Sequence, residues 1–211
     1  MFRKMKNGEE EKVAEVLTEA FIEYPLYREC LRGCTDYRHQ LTKFMFVWVN
    51  IWQDSTYVNE EMNFVACLEK PEDNNPSPFS RRMRRLLVDQ FRDYSLASRL
   101  RMLQYLLISE RVVKKYNQKG DYYLHSLATI GTARGSGIIF RFFNEVVGSR
   151  PFLCETHTER NKRLYERMGM VLCEALTWHH LPHYLLRRPE DADCNYESAI
   201  AEHSRKDPSP Q

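Results

Sequence analysis

The sequence predicts an α/β fold in which helices pack on a mixed β-sheet. Three observations predict it. From Tyr122 onward, strand-like and helical runs alternate, the pattern of a sheet that carries helices on its faces. Earlier, residues 9–22 and 37–52 place apolar side chains at helical spacing. Just after them, two short apolar runs flank a polar turn, the mark of a hairpin.

Taken in order, Phe2 to Met5 reads as a short edge strand. In residues 9–22, Val13, Val16, Leu17, Ala20 and Phe21 share one helical face. Glu9, Glu10 and Glu11 suit the positive N-terminal end of that helix, and Pro25 limits its far end. Residues 37–52 form a second apolar helix ending near Gln53. Thr56-Tyr57-Val58 and residues 63–68 are strands about the turn 59–62. The stretch 71–78, rich in Pro and Asn, is a loop. Residues 80–116 read as helical hairpin material. Their basic run (Arg81, Arg82, Arg84, Arg85) lacks the aromatic interleaving of a nucleic-acid site and reads as a solvated helix face. A strand at 122–129, a turn at 130–137 and a helix from Ile138 come next. Then follow a strand at 152–156, a helix from about Asn161 to Met168, and strands near 171–178 and 183–186. One domain over 1–188 is expected, with 80–116 as a helical elaboration. The polar tail 189–211 is expected to be disordered.

Bulk properties exclude several classes of function. The 211 residues carry a net charge of +2 with 28% charged residues, so no strong field directs the chain to nucleic acid or membrane. No apolar run approaches the roughly 20 residues that span a bilayer. The basic N-terminus runs into acidic residues rather than an apolar signal core. The six cysteines are scattered, which favours reduced thiols and a cytoplasmic location over a disulfide framework. Cys30 and Cys34 have no second pair to complete a zinc site. His179 and His180 would point to opposite faces of a strand, and Pro182 breaks the spacing to His183, so no metal is expected. Cys154 has no neighbouring group to activate it and reads as core.

The stretch from Tyr122 to Phe143 carries most of the functional signal. A strand runs through a small-residue turn, Ile130-Gly131-Thr132-Ala133-Arg134-Gly135-Ser136-Gly137, into an apolar helix start. The first N–H groups of a helix lack internal partners and its dipole is positive there, so the turn is suited to a phosphate. Gly135 and Gly137 let main chain approach a ligand, and Arg134 adds charge. Neither the Walker pattern nor the Rossmann fingerprint is present. On the preceding strand, alternation places Tyr123, His125 and Leu127 on one face. Histidine is the side chain whose unperturbed pKa lies nearest neutrality, so His125 could accept a proton directly or through water; the plain alternative is a core histidine satisfied by one hydrogen bond.

A second segment, Asn161-Lys162-Arg163-Leu164-Tyr165-Glu166-Arg167-Met168-Gly169-Met170, sets Tyr165 one helical turn after Asn161, with Gly169 ending the helix. Taken with the phosphate turn, it resembles the GNAT superfamily of acyl-CoA-dependent N-acetyltransferases. That family reads Arg/Gln-x-x-Gly-x-Gly/Ala at the cofactor turn. Its later helix reads Asn-x-x-aromatic/aliphatic-Tyr-x-x-x-Gly-Phe. Arg134, Gly137, Asn161, Leu164, Tyr165 and Gly169 stand in register. Residues 16–21 with Pro25 look like the family's first helix and acceptor-side loop. The resemblance covers roughly residues 2–70 and 120–187. Two positions depart: Ile139 stands where Gly or Ala is usual, and Met170 replaces Phe.

The resemblance implies a mostly antiparallel central sheet flanked by helices, with acetyl-CoA as acyl donor and no metal. Leu127, Ala128 and Thr129 would pair with the pantetheine arm, and the amides of Arg134, Gly135, Ser136, Gly137, Ile138 and Ile139 would hold the pyrophosphate. Asn161 would bond the arm and Tyr165 would be the general acid, with His125 or a water as base. Glu23, Tyr24, Tyr57 and Tyr123 are weaker candidates to face the acceptor. The expected partner is a small-molecule amine or a peptide; a homodimer is left open. The rival expectation is an inactive acyl-CoA-binding sensor or scaffold of the same fold.

Overall fold

The computed structural model describes residues 1–71 and 94–190. The loop at 72–78, the arginines from Arg81 to Arg85 and the tail from 191 lie outside the described residues. Among the described residues the elements are β1 (Phe2–Lys4), α1 (Glu10–Phe21), α2 (Pro25–Cys30), α3 (Tyr37–Ile51), β2 (Thr56–Asn59), β3 (Phe64–Glu69) and α4 (Leu96–Tyr116). They continue with β4 (Tyr122–Thr129), α5 (Ile138–Phe142), β5 (Phe152–Thr156), α6 (Glu159–Arg167), β6 (Val171–Trp178) and β7 (Leu181–Arg188). No helix among them is long and apolar enough to cross a membrane.

The strands form one seven-stranded sheet in the order β1-β2-β3-β4-β5-β7-β6. Every neighbouring pair is antiparallel except β4 and β5, which run parallel. The expected mixed, mostly antiparallel sheet flanked by helices is therefore present. Local chemistry sets the helix boundaries. The Asp36 side chain accepts from the His39 N–H (3.1 Å) at the start of α3, and Thr158 accepts from the Asn161 N–H (3.2 Å) at the start of α6. Pro25 does more than end α1: it is the first residue of α2, where its missing N–H costs nothing.

The two faces of the sheet bury separate cores. On one face Val13, Leu17, Leu41, Met45 and Val49 of α1 and α3 pack on Val58, Val65, Cys67 and Ala128. On the other, Phe140, Phe142 and Tyr165 of α5 and α6 pack with Phe64, Ala66, Leu68, Tyr122 and Leu124. α4 joins the first face further along, where Val112 meets Leu153 and Leu185.

A β-bulge corrects one expectation. In the β3–β4 ladder Cys67 pairs with Ser126 but Leu68 pairs with Leu124, so His125 is the extra residue. The bulge shifts the alternation by one position. Leu127 packs on the core of α5 and α6, whereas His125 stacks on Trp52 at the end of α3, with ring centroids 3.5 Å apart. His125 and Leu127 therefore lie on opposite faces.

Phe142 anchors the second core, fully buried, with the rings of Phe2, Tyr57, Phe64 and Phe143 at 5.0–5.7 Å. Phe142→Ala is expected to lower unfolding free energy by about 3–5 kcal/mol, the cost of an aromatic-sized cavity. Urea denaturation followed by tryptophan fluorescence measures it as a fall in midpoint.

Candidate active site

β4 and β5 pair only at Tyr122↔Phe152, Tyr123↔Leu153 and Leu124↔Cys154. Both strands run on: β4 stays paired with β3 as far as Thr129, and β5 with β7 as far as Thr156. The two strands therefore splay apart beyond Leu124. At the closed end, Arg187 of β7 holds Asp121 at the start of β4 with two contacts of 2.8 Å. At the open end the Tyr24 hydroxyl, carried just ahead of α2, accepts from the His157 N–H (2.9 Å) and lies 3.1 Å from Thr156 Oγ1.

A cavity of about 120 Å³ fills the splay and extends over the α1–α4 face. β4 supplies Tyr123 to Leu127, β5 and its end supply Glu155, Thr156 and His157, and α6 supplies Asn161 and Tyr165. The opposite wall is aromatic, with Phe21, Tyr24 and Tyr27 from the α1–α2 region, Phe44 and Trp48 from α3, and Tyr105 from α4. Of the residues expected at the site, His125, Leu127, Asn161, Tyr165, Tyr24 and Tyr123 all line this cavity. Glu23 is outside the wall, exposed and paired with Arg28, and Tyr57 lies in the other core against Phe142.

The turn after β4 has the geometry its glycines suggest. Gly135 and Gly137 both have φ of +73°, a region costly for residues with a Cβ, and Gly137 caps the N-terminus of α5. Arg134 is exposed, and its Nε donates to the Thr129 carbonyl (3.2 Å), which folds the guanidinium back beside the turn. Ile139 packs against the α5–α6 core, so its bulk is turned inward.

Two hydrogen-bonded groups face the cavity from the α1–α4 side. His125 Nε2 lies 2.9 Å from Glu69 Oε2, and its side chain is 3% exposed although the residue is half-buried. What His125 shows to solvent is thus main chain at the bulge. Burial lowers its pKa, and the Glu69 hydrogen bond and charge only partly oppose this, so the ring is neutral at pH 7. The second group centres on Glu155. His183 Nε2 lies 2.6 Å from its Oε1, while Ser109 (2.7 Å) and the Tyr123 hydroxyl donate to its Oε2. Burial pushes the carboxyl up, but the hydrogen bond and charge of His183, with Tyr123 and Ser109, outweigh it and keep Glu155 ionised.

Sequence reasoning missed Glu155, His157 and His183 as members of the site. Alternation on β5 puts Glu155 and His157 on the same face, a signal that was available. The meeting of β5 with β7, which brings in His183, has no local sequence mark. Burial raises the pKa of the Tyr165 phenol well above its ordinary value, so it is protonated at neutral pH. The Cys154 thiol is likewise pushed far up by burial and stays a thiol. His179 and His180 form the turn between β6 and β7, away from the His183–Glu155 contact.

No protein-family model matches the chain, and no curated protein matches its sequence. Solved structures do. An acetyltransferase related to histone acetyltransferase HPA2, from Corynebacterium glutamicum, superposes with a TM-score of 0.61 at 16% identity, covering 90% of this chain and 95% of that one. The fold is that of the GNAT acetyltransferases. Arylalkylamine N-acetyltransferase 2 from Aedes aegypti shares the GNAT fold at a TM-score of 0.54 and 12% identity, over 90% of this chain and 99% of its own. So does a polyamine N-acetyltransferase of Drosophila melanogaster, at 0.53 and 15%, over 89% and 98%.

Burial holds His157 at a pKa of about 3, helped by the charge of His183 and opposed by Glu155. The unfolded chain takes up this proton near pH 6.5, so the stabilising contribution is whole above that pH and is lost as pH falls toward 3. His125, also depressed, adds to the loss in the same direction. Between pH 7 and pH 5, His157 alone is expected to cost about 2 kcal/mol. Denaturant titrations of wild type and His157→Gln at the two pH values measure it, and the variant should lose correspondingly less.

Proposed function

We propose that the protein is an acetyl-CoA-dependent N-acetyltransferase that moves an acetyl group directly to a primary amine. The observation that carries this reading is the splay of β4 from β5, flanked by a glycine turn at a helix start and by Asn161 and Tyr165 on α6. Beyond Leu124 the β4 main chain has no β5 partner, so its polar groups on that side are open to a ligand that can pair with them. A pantetheine arm carries amides that can serve as that partner along Leu127, Ala128 and Thr129. Its pyrophosphate would meet the N–H groups from Arg134 to Ile139. Asn161 would bond the arm from the facing helix.

The amine nitrogen attacks the thioester carbon and a C–N bond forms. As the C–S bond breaks, the departing thiolate takes the Tyr165 phenol proton, and the nitrogen yields a proton to neutral His125, backed by Glu69. Exchange with water then returns a proton to Tyr165 and removes one from His125. Tyr165 suits the acid because burial keeps it protonated, and His125 suits the base because burial keeps it neutral. The aromatic wall shields the thioester from bulk water that would hydrolyse it. The solved GNAT structures named above act, by their descriptions, on arylalkylamines and polyamines, which supports an amine as acceptor.

Tyr165→Phe is expected to lower kcat by about 100-fold or more while leaving acetyl-CoA affinity within about twofold. Free CoA release and isothermal calorimetry measure the two quantities. Unchanged turnover would remove Tyr165 from the role of acid. Acetyl-CoA binding without CoA release to any amine would favour a sensor or scaffold.

A further inference from the structure

α4 is apolar on two sides. Its inner side, with Ser98, Met102, Ser109 and Val112, is buried against the fold. Its outer side carries Leu96, Leu100, Leu103 and Leu107, which are 71%, 51%, 41% and 58% exposed. None of the four belongs to a buried cluster. A helix on the surface of a monomer ordinarily turns charged or polar residues outward, so this face calls for a partner. The leucines are spaced by four, three and four residues, the seam spacing of a helix pair. The other exposed positions between Leu96 and Leu107 are Ala97 and Gln104, so the stripe carries no charge of its own. Arg99 and Arg101, at its border, fold back to donate to the carbonyls of Tyr94 and Arg32. Exposed charge begins past the stripe, at Arg111, Lys114 and Lys115, and the two lysines pair with Glu110 (2.6 Å) and Glu174 (2.8 Å).

We infer that this face pairs with the same face of a second copy of the chain, the two α4 helices running antiparallel. The spacing reads the same in both directions. A two-fold axis midway between Leu100 and Leu103 therefore sets Leu100 against the partner's Leu103, and Leu96 against the partner's Leu107, in both halves at once. Such self-complementarity is what an isologous contact requires. An uncharged stripe also lets two copies meet without burying a charge. Charge selects the direction. A parallel pair would set both basic ends side by side. In the antiparallel pair the two Lys114 residues stand roughly 37 Å apart along the axis, several times the screening length of about 8 Å. Charge also disfavours a lipid surface, because the cations that would meet headgroups are grouped at one end and both lysines are already paired. Area sets the strength. A standard interface takes about 800 Å² from each partner, more than four part-exposed leucines and their neighbours provide, so the dimer is weak and reversible. On its inner side the same helix lends Met102, Tyr105, Leu106 and Ser109 to the cavity wall, which the pairing would brace. The pairing is independent of the acetyl-transfer reading.

Sedimentation velocity on the full chain, from about 1 to about 200 µM, tests it. The mean mass is expected to rise from one chain toward two, with a dissociation constant on the order of 10 µM. Leu100→Glu puts a charge into the seam. It should weaken self-association about 30-fold or more while leaving the thermal midpoint at about 1 µM unchanged. Leu103→Lys should do the same. An equimolar mixture of the two variants should associate more tightly than either alone, because the antiparallel register sets the opposite charges face to face. A wild-type chain that stays monomeric throughout overturns the inference, and its binding to phosphatidylserine vesicles would reassign the face to lipid. A Leu100→Glu variant that associates as the wild type does overturns it too, by moving the contact elsewhere. So does a lowered midpoint of both variants at about 1 µM, since the leucines would then be covered within the chain. A mixture that gains nothing overturns the antiparallel arrangement. Should Leu100→Glu not fold, Leu96→Gln with Leu107→Gln, at the two ends of the stripe, is read in the same way.

Discussion

Two parallel strands that pair across three residues and then part are the constraint on which the site depends. β4 and β5 sit at the centre of the sheet, each secured on its outer side by an antiparallel neighbour. Neither can close the gap without breaking that outer ladder, so the main chain beyond Leu124 keeps its polar groups turned to an opening inside the fold. A buried backbone group without a partner costs about as much as a lost hydrogen bond. Under the acetyl-transfer proposal, that opening receives a ligand that carries its own amides. Asp121 with Arg187 fixes the closed end, and Tyr24 holds the end of β5 at the other.

The bulge at His125 decides which chemistry meets which side of that opening. Without it, alternation would keep Leu127 on the face of Tyr123 and His125. The extra residue sends Leu127 to the core of α5 and α6 and leaves the imidazole against Trp52 and Glu69. Alternation on β5 sends Glu155 and His157 to the α1–α4 face, while Tyr165 packs with the α5–α6 core. His125 and Glu155 thus lie on one face and the Tyr165 phenol on the other, with the splay between them. Burial keeps Tyr165 protonated and His125 neutral, while Glu155 stays ionised because three donors hold it.

Much of this was legible in the sequence where the signal was local. The strand at 122–129, the glycine turn and the helix carrying Asn161 and Tyr165 each announce themselves through alternation, positive-φ glycines or a helix-ending glycine. α2 was missed because Pro25 reads equally as a stop and as a start. The bulge was missed because it arises from the pairing with β3, with no mark at His125 itself. Glu155 and His183 escaped for a related reason: they meet through the β5–β7 ladder, residues far apart in the chain, and an isolated carboxylate on a strand looks like a surface residue. Glu23 and Tyr57 show the converse, since proximity in sequence to Pro25 or to a hairpin does not bring a side chain into the cavity.

Under the acetyl-transfer proposal, acceptor and donor meet in the opening between β4 and β5. A crystal structure with bound coenzyme A tests that claim most directly. The pantetheine arm is expected along Leu127, Ala128 and Thr129, the pyrophosphate on the turn from Arg134 to Ile139, and the sulfur within hydrogen-bonding reach of the Tyr165 hydroxyl. Coenzyme A seated elsewhere, or a sulfur on the far side of the sheet from Tyr165, would contradict it.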